Sequence, residues 1–192
     1  MTTRSWIRNL FARPVTRPIR KAAARCRPSV EALEDRLTPN AYTVNLLGDT
    51  SGSSSGQGTG LTGDLRYCID RAITDGQADT ITFDPGVFSS ARTITLDTSL
   101  STDPGGANAF GPTAFVVSGS ADITVTGPGL GVTLDAGNAE RLFALTGGAT
   151  LTLQGLTLQH GLASGWAVSA QGGAIYSQGD LTLTGVSVLN NT

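Results

Sequence analysis

Two stretches of this chain repeat one another at a fixed distance. Residues 150–161 (TLTLQGLTLQHG) align with residues 180–191 (DLTLTGVSVLNN) at an offset of thirty residues. Both alternate apolar residues with hydroxyl-bearing ones, the period of two that belongs to strands with one buried face. Self-similarity at a fixed period marks stacked units, none of which buries its apolar face alone. Leu151 and Leu153 are therefore expected to point inward and Thr152 outward, giving a hydroxyl-rich outer surface. Residues 172–191 read as one coil, with a turn at Gly172 and Gly173 and a closing pair, Asn190 and Asn191. The expected fold is all-β, a right-handed parallel β-helix (solenoid).

Further short strands are expected at 80–83, 93–96, 115–117, 123–125, 132–134 and 142–145, most of them ending in Gly, Asp, Asn or Pro. Hydrophobic residues make up 39% of the 192 but aromatic ones only 6%, so the core must be aliphatic. The 25 glycines suit tight turns better than helices. Residues 99–113 and 162–171 break the pattern and are expected to leave the stack as loops, the elements that carry binding in repeat folds.

Charge divides the chain. Residues 1–27 hold eight Arg or Lys and no acid, whereas the remainder holds five basic and fifteen acidic side chains. Residues 1–40, punctuated by Pro14, Pro18, Pro28 and Pro39, are expected to form a disordered basic leader. Within it, residues 6–11 can make one amphipathic turn, and residues 29–37 a short helix capped by Ser29. Residues 41–192 are expected to be the N-terminal part of the β-helix domain, truncated at its C-terminus. Leu65, Ile69, Ala72 and Ile73 fall at helical spacing behind Asp64, so a helix over about 64–74, with Asp64 as N-cap, is expected to cap the first coil. The acidic body is not expected to bind nucleic acid, and an anionic surface is the partner open to the arm. There is neither an uninterrupted apolar run of the roughly 7–15 residues that a secretion signal needs nor one of about 20 that spans a membrane. Cys26 and Cys68 sit in unlike contexts and are not expected to bridge.

Residues 27–39, containing Leu33, Glu34, Arg36 and Leu37, resemble the short LEPR-XLL-type segment that precedes repetitive domains in large exported bacterial proteins, with Asp35 where that family has proline. From Gly63 onward the chain resembles bacterial right-handed parallel β-helix surface proteins of the polymorphic outer-membrane-protein and choice-of-anchor type. Four motifs carry this: residues 63–69 for the family's GSLR-x-AI helix, with Asp64 for serine and Cys68 for alanine; residues 78–85 for ADTI-x-F-x-P; residues 123–129 for ITITGPG; and the Gly172–Ile175 GGAI unit with its trailing Asn190 and Asn191. The resemblance implies a secreted, cell-surface or outer-membrane, adhesin-like module without catalysis, touching surface glycans or other surface proteins.

The chemistry-bearing residues stand against that background. Polysaccharide lyases built on β-helices combine acidic calcium ligands with a basic residue that abstracts a sugar proton, which directs attention to Asp135, Glu140 and Arg141. A polyuronate would be repelled by so acidic a body, so a solvated turn is the expectation for these three. Asp122 and Asp135 are the carboxylates that a glycoside hydrolase would have to pair. His160 lacks a Ser or Cys partner in a motif and reads as a turn residue. Residues 127–131 resemble a nucleotide loop but lack its lysine. Gly172 and Gly173 begin like a calcium roll, but Ile175 and Ser177 stand where it needs glycine and aspartate. Asn190, Asn191 and Thr192 form a glycosylation sequon. The expectation is no catalytic, cofactor-binding or metal-ligating residue and no cofactor. The alternative is the N-terminal part of a carbohydrate-active enzyme, a lyase or a glycoside hydrolase.

Overall fold

The structure, a computed structural model, describes residues 38–49, 53–103, 111–164 and 171–192. The chain divides into two units, Met1–Arg36 and Leu37–Thr192, and all the described residues belong to the second. Residues 1–37 of the basic arm lie outside the described residues, together with Cys26, the turn expected at 6–11 and the helix expected at 29–37.

In chain order the elements are β1 (Ala41–Val44), β2 (Gly58–Thr59), β3 (Thr62–Gly63), α1 (Leu65–Asp75), β4 (Ala78–Phe83), β5 (Arg92–Thr95), β6 (Thr113–Val117), β7 (Asp122–Thr126), β8 (Val132–Asp135), β9 (Arg141–Leu145), β10 (Thr150–Gln154), β11 (Leu156–Gln159), β12 (Ile175–Ser177), β13 (Asp180–Thr184) and β14 (Ser187–Leu189). Strands β4, β7, β8, β10 and β11 follow the period-two pattern of the sequence, whereas β9 is buried at every position. In β10, Leu151 and Leu153 are fully buried while Thr150, Thr152 and Gln154 are half-buried. In β4 the inward positions are Asp79, Ile81 and Phe83, and the outward ones are Ala78, Thr80 and Thr82.

The strands form three sheets. The first runs β13-β10-β7-β4-β1-β3-β2, the second β14-β11-β8-β5 and the third β12-β9-β6. Every strand pair is parallel except β2 with β3. Strands consecutive in sequence from β4 onward lie in different sheets, so each finds its partner in an earlier passage of the chain. Parallel pairing of this kind needs long connections and burial of the inward face.

The expectation of an all-β, right-handed parallel β-helix is corrected here. The described residues form three parallel-rich sheets, one of them mixed by the antiparallel β2–β3 pair, with an eleven-residue α-helix packed into the core. A regular solenoid is not what they show. The thirty-residue offset holds between Gly161 and Asn191, but facing residues are 28 apart at Thr126 and Gln154 and 24 apart at Asp135 and Gln159. The physical reason is that a period read from two neighbouring stretches says nothing about connections elsewhere, and those connections differ in length.

One largely aliphatic core, with a few aromatic side chains, joins the sheets and the helix, with Val44, Ile81, Ile123, Leu134, Phe143 and Leu151 at or near complete burial. Each such side chain contributes about 1.5–3 kcal/mol through the apolar surface it withdraws from water. Asp64 caps α1: its Oδ1 accepts the Tyr67 N–H at 2.7 Å, and its Oδ2 accepts the Gln57 N–H at 2.7 Å. Gly76, in the left-handed region at φ 68°, ends the helix. The buried face of α1 carries Leu65, Cys68, Ile69 and Ala72, and the helix packs against β1, β3, β4, β6 and β7. The helix expected over about 64–74 thus lies at Leu65–Asp75. The expected loop at 99–113 partly folds back, since Leu100 is buried and Thr102 bridges Thr113.

Candidate functional site

Parallel pairing in register turns an alternating strand into rows. Across β4, β7, β10 and β13 the first sheet aligns Thr80, Thr124, Thr152 and Thr182. The second sheet, across β5, β8, β11 and β14, aligns Thr93, Thr133, Thr157 and Ser187. All eight side chains are exposed or half-buried, and they alternate with buried Ile, Val and Leu on most of the strands. Neighbouring strands lie about 4.8 Å apart, so each row sets four hydroxyls at that spacing across the face of its sheet. Beside the first row runs a second, in which Thr126, Gln154 and Thr184 align. These rows offer neutral donors and acceptors on a β-branched scaffold.

Asp135, Glu140 and Arg141, expected to form a solvated turn, do not: Glu140 and Arg141 are withdrawn from solvent, and the three do not converge on one site. Asp135 ends β8 and accepts hydrogen bonds from the Gly137 N–H at 2.9 Å and Gln159 Nε2 at 2.8 Å; His160 Nδ1 stands 3.0 Å from it. Burial pushes its carboxyl up, but those three contacts more than offset this and hold it below the usual range. Glu140 and Arg141 are fully buried and face other partners. Glu140 Oε2 accepts the Ser101 hydroxyl, and its Oε1 is buried with no hydrogen-bond partner. Burial raises the Glu140 carboxyl above its ordinary value despite the serine and the positive charge of Arg66. Arg141 donates to the carbonyls of Gln171 and Gly172 at 2.9 Å and to Thr113 Oγ1 at 3.0 Å, with its guanidinium over the Tyr176 ring. It therefore pins loop backbone to β6. Asp122 begins β7 in the first sheet and Asp135 ends β8 in the second, so register does not align them as a carboxylate pair.

The turn residues behave as their chemistry requires. Asn138, His160 and Asn190 all take left-handed backbone, at φ 58°, 53° and 52°. They lie one above another in the turns that follow the second sheet: the Asn138 N–H donates to the His160 carbonyl at 2.7 Å, and the His160 N–H to the Leu189 carbonyl at 3.4 Å. Asn191 Oδ1 accepts the Gly161 N–H at 2.6 Å while its amide donates to the Leu158 and Leu189 carbonyls. Within residues 127–131, which resemble a nucleotide loop in sequence, the Gly131 N–H closes a turn onto the Pro128 carbonyl at 2.9 Å. Among the described residues, no group of three or more His, Cys, Asp or Glu is placed to hold a metal ion.

Two charged clusters were not foreseen. Arg66 on α1 and Asp49 form a buried ion pair, which also receives the Asp97 N–H on Asp49 Oδ2 at 2.9 Å. Arg66 also donates to the Ala114 carbonyl at 2.5 Å and stacks over Phe115. The signal was present in sequence: Arg66 sits three residues before Ile69 and seven before Ile73, on the apolar stripe of the helix. A cleft of about 290 Å³ opens beside it, with Ile69, Ile73, Phe115 and Val116 in its wall and Asp70 at its side. The second cluster, Asp75 and Asp79, joins the end of α1 to β4, where Asp79 points inward beside the outward Thr80.

The fold and its surface define a class: a parallel-rich β protein with one described α-helix, a largely aliphatic core and neutral hydroxyl rows on two of its three sheets. Compared with protein-family models, with curated proteins and with solved structures, the chain matches none.

Proposed function

We propose that this chain is a non-catalytic, extracellular or cell-surface contact module that meets surface glycans through its outward hydroxyl rows. One observation carries the reading. Thr80, Thr124, Thr152 and Thr182 on one sheet, and Thr93, Thr133, Thr157 and Ser187 on the next, are held in register by parallel pairing. A neutral polymer rich in hydroxyls can exchange its water for such rows at many weak, repeated contacts, so avidity rather than a single pocket sets affinity. The body carries far more acidic than basic side chains, which disfavours anionic polymers and favours neutral ones. Other surface proteins are the second class of partner, and an anionic surface remains the partner for the basic arm.

The carbohydrate-active enzyme is the competing reading, and the separate environments of Asp135, Glu140 and Arg141 argue against it. A reducing-end assay on a panel of neutral and acidic polysaccharides tests the choice. The expected outcome is retention of the protein on neutral polymers with no new reducing ends or unsaturated products. Turnover that Asp135→Ala abolishes would replace the contact module with an enzyme.

A further inference from the structure

Two carboxyl groups that the contact face does not use meet where α1 ends and β4 begins. Asp75 is the last residue of α1 and Asp79 the second of β4, with Gly76 turning the chain between them. Asp79 is 2% exposed, and its Oδ1 accepts the Asn40 N–H at 2.7 Å. Its Oδ2 is buried, and no protein donor reaches it. Asp75 is already supplied: its Oδ2 accepts Asn40 Nδ2 and the Tyr42 hydroxyl, both at 2.7 Å, and its Oδ1 accepts the Gln77 N–H at 3.1 Å. Asn40 bonds to both side chains, through its N–H and its Nδ2, and brings them within reach of each other's charge, so that a proton on one lets it donate to the other.

A buried carboxylate oxygen without a donor is costly, and one proton removes both that cost and the repulsion between the pair. We propose that Asp75 and Asp79 share a single proton, which acts as a pH-sensitive fastener holding the start of β1, at Asn40 and Tyr42, to the turn between α1 and β4. The surroundings favour a proton. Tyr42 faces the pair from β1, Asp122 adds a further negative charge from β7, and Arg71 on α1 acts on Tyr42. Burial first, then Asp75, pushes the Asp79 carboxyl up to about 6. Burial pulls Asp75 the same way, but Tyr42, Asp79, Gln77 and Asn40 outweigh it and hold Asp75 below its ordinary value. Burial and Asp75 together push the Tyr42 phenol up, so Tyr42 stays a donor throughout.

When the proton leaves, two carboxylates share one corner with Asn40 bonded to both, and Asp122 adds its charge from the start of β7. β1 lies between β3 and β4 in the first sheet, and the Thr80 N–H donates to the Asn40 carbonyl at 3.0 Å. Loosening at Asn40 is therefore felt at the start of both β1 and β4.

The test is carboxyl NMR titration and amide hydrogen exchange on the full chain, on Asp79→Asn and on Asp75→Asn. In the unmodified chain Asp79 is expected to titrate near 6, well above its ordinary 3.8. In Asp75→Asn it is expected to fall by at least about one pH unit, because an amide donor replaces the like charge. Protection factors at Asn40, Thr43 and Thr80 are expected to drop about tenfold or more between pH 5 and pH 8 in the unmodified chain, and to stay nearly constant in Asp79→Asn, whose amide stands in for the proton. Asp79 titrating near 3.8, or protection independent of pH, would overturn the proposal. A loss of protection that millimolar calcium reverses would overturn it in favour of a bound cation.

Discussion

Arg66 and Asp49 are joined by two hydrogen bonds side by side, Nε to Oδ1 at 2.7 Å and Nη2 to Oδ2 at 2.6 Å, with both side chains about 4% exposed or less. The pair ties α1 to the chain that follows β1, and through Ala114 and Asp97 it reaches β6 and the short 3-10 turn at Thr98–Leu100. Removing one member leaves the other buried and uncompensated. Asp49→Ala is expected to destabilise the fold by about 3–5 kcal/mol, whereas replacing both residues with apolar side chains of similar volume costs less than that single change. Urea unfolding of the two single variants and the double variant measures both the cost and the coupling.

Asp79 gives a pH dependence of definite sign. Its native carboxyl is raised from 3.8 to about 6, so between those values the native state holds a proton that the unfolded state has lost. Its contribution is therefore fully present below 3.8 and is lost as pH rises through about 6. Asp75, held below its ordinary value, acts in the opposite sense and loses its contribution on acidification. Asp79→Asn removes the first effect and is expected to be more stable than the unmodified chain at pH 7 by about 1–3 kcal/mol, and by much less at pH 4. Thermal unfolding across pH 3.5–8 checks the crossover.

Cys68 is fully buried in α1, and burial pushes its thiol up to about 12. A thiol so placed presents little thiolate and no access. Native protein at pH 8 is expected to resist iodoacetamide at Cys68 for hours, and to react within minutes in denaturant, as followed by peptide mapping. Cys68→Ala should cost about 1 kcal/mol and Cys68→Leu more, because Ala72 and the neighbouring core leave no room.

His160 holds a left-handed turn at φ 53° between Asn138 and Asn190. A β-branched residue tolerates that backbone poorly, so His160→Val is expected to destabilise by about 1–3 kcal/mol, while His160→Asn changes stability by less than about 0.5 kcal/mol. Equilibrium unfolding of the two variants separates backbone strain from loss of the Asp135 contact.

Much of the secondary structure was legible because it is local. Alternation placed Leu151 and Leu153 inward, helical spacing placed Ile69 and Ala72 on one stripe, and Asp64 announced the cap. Leu151 also pairs with Leu181 at the thirty-residue offset seen in the sequence. That offset did not extend to the rest of the sheets, since β2 folding back antiparallel on β3 and unequal connections are not visible in any two-stretch comparison. The buried Arg66–Asp49 bridge spans seventeen residues, and the Asp75–Asp79 corner is completed by Asn40 from 35 residues away. Such pairings depend on tertiary register, which the order of residues alone does not disclose. For the same reason Glu140 and Arg141, adjacent in sequence and expected in a solvated turn, prove to be buried against separate neighbours.

The most direct measurement is retention of the full chain on an immobilised neutral polysaccharide, comparing it with a variant carrying Thr124→Val, Thr133→Val, Thr152→Val and Thr157→Val. Valine keeps the β-branched shape and strand preference while deleting four central hydroxyls, so the fold is expected to persist. If the rows are the contact face, binding is saturable and weakens by about tenfold or more in the variant, with its unfolding curve nearly unchanged. Equal binding by both proteins, or no binding by either across the polysaccharide panel, would contradict that assignment.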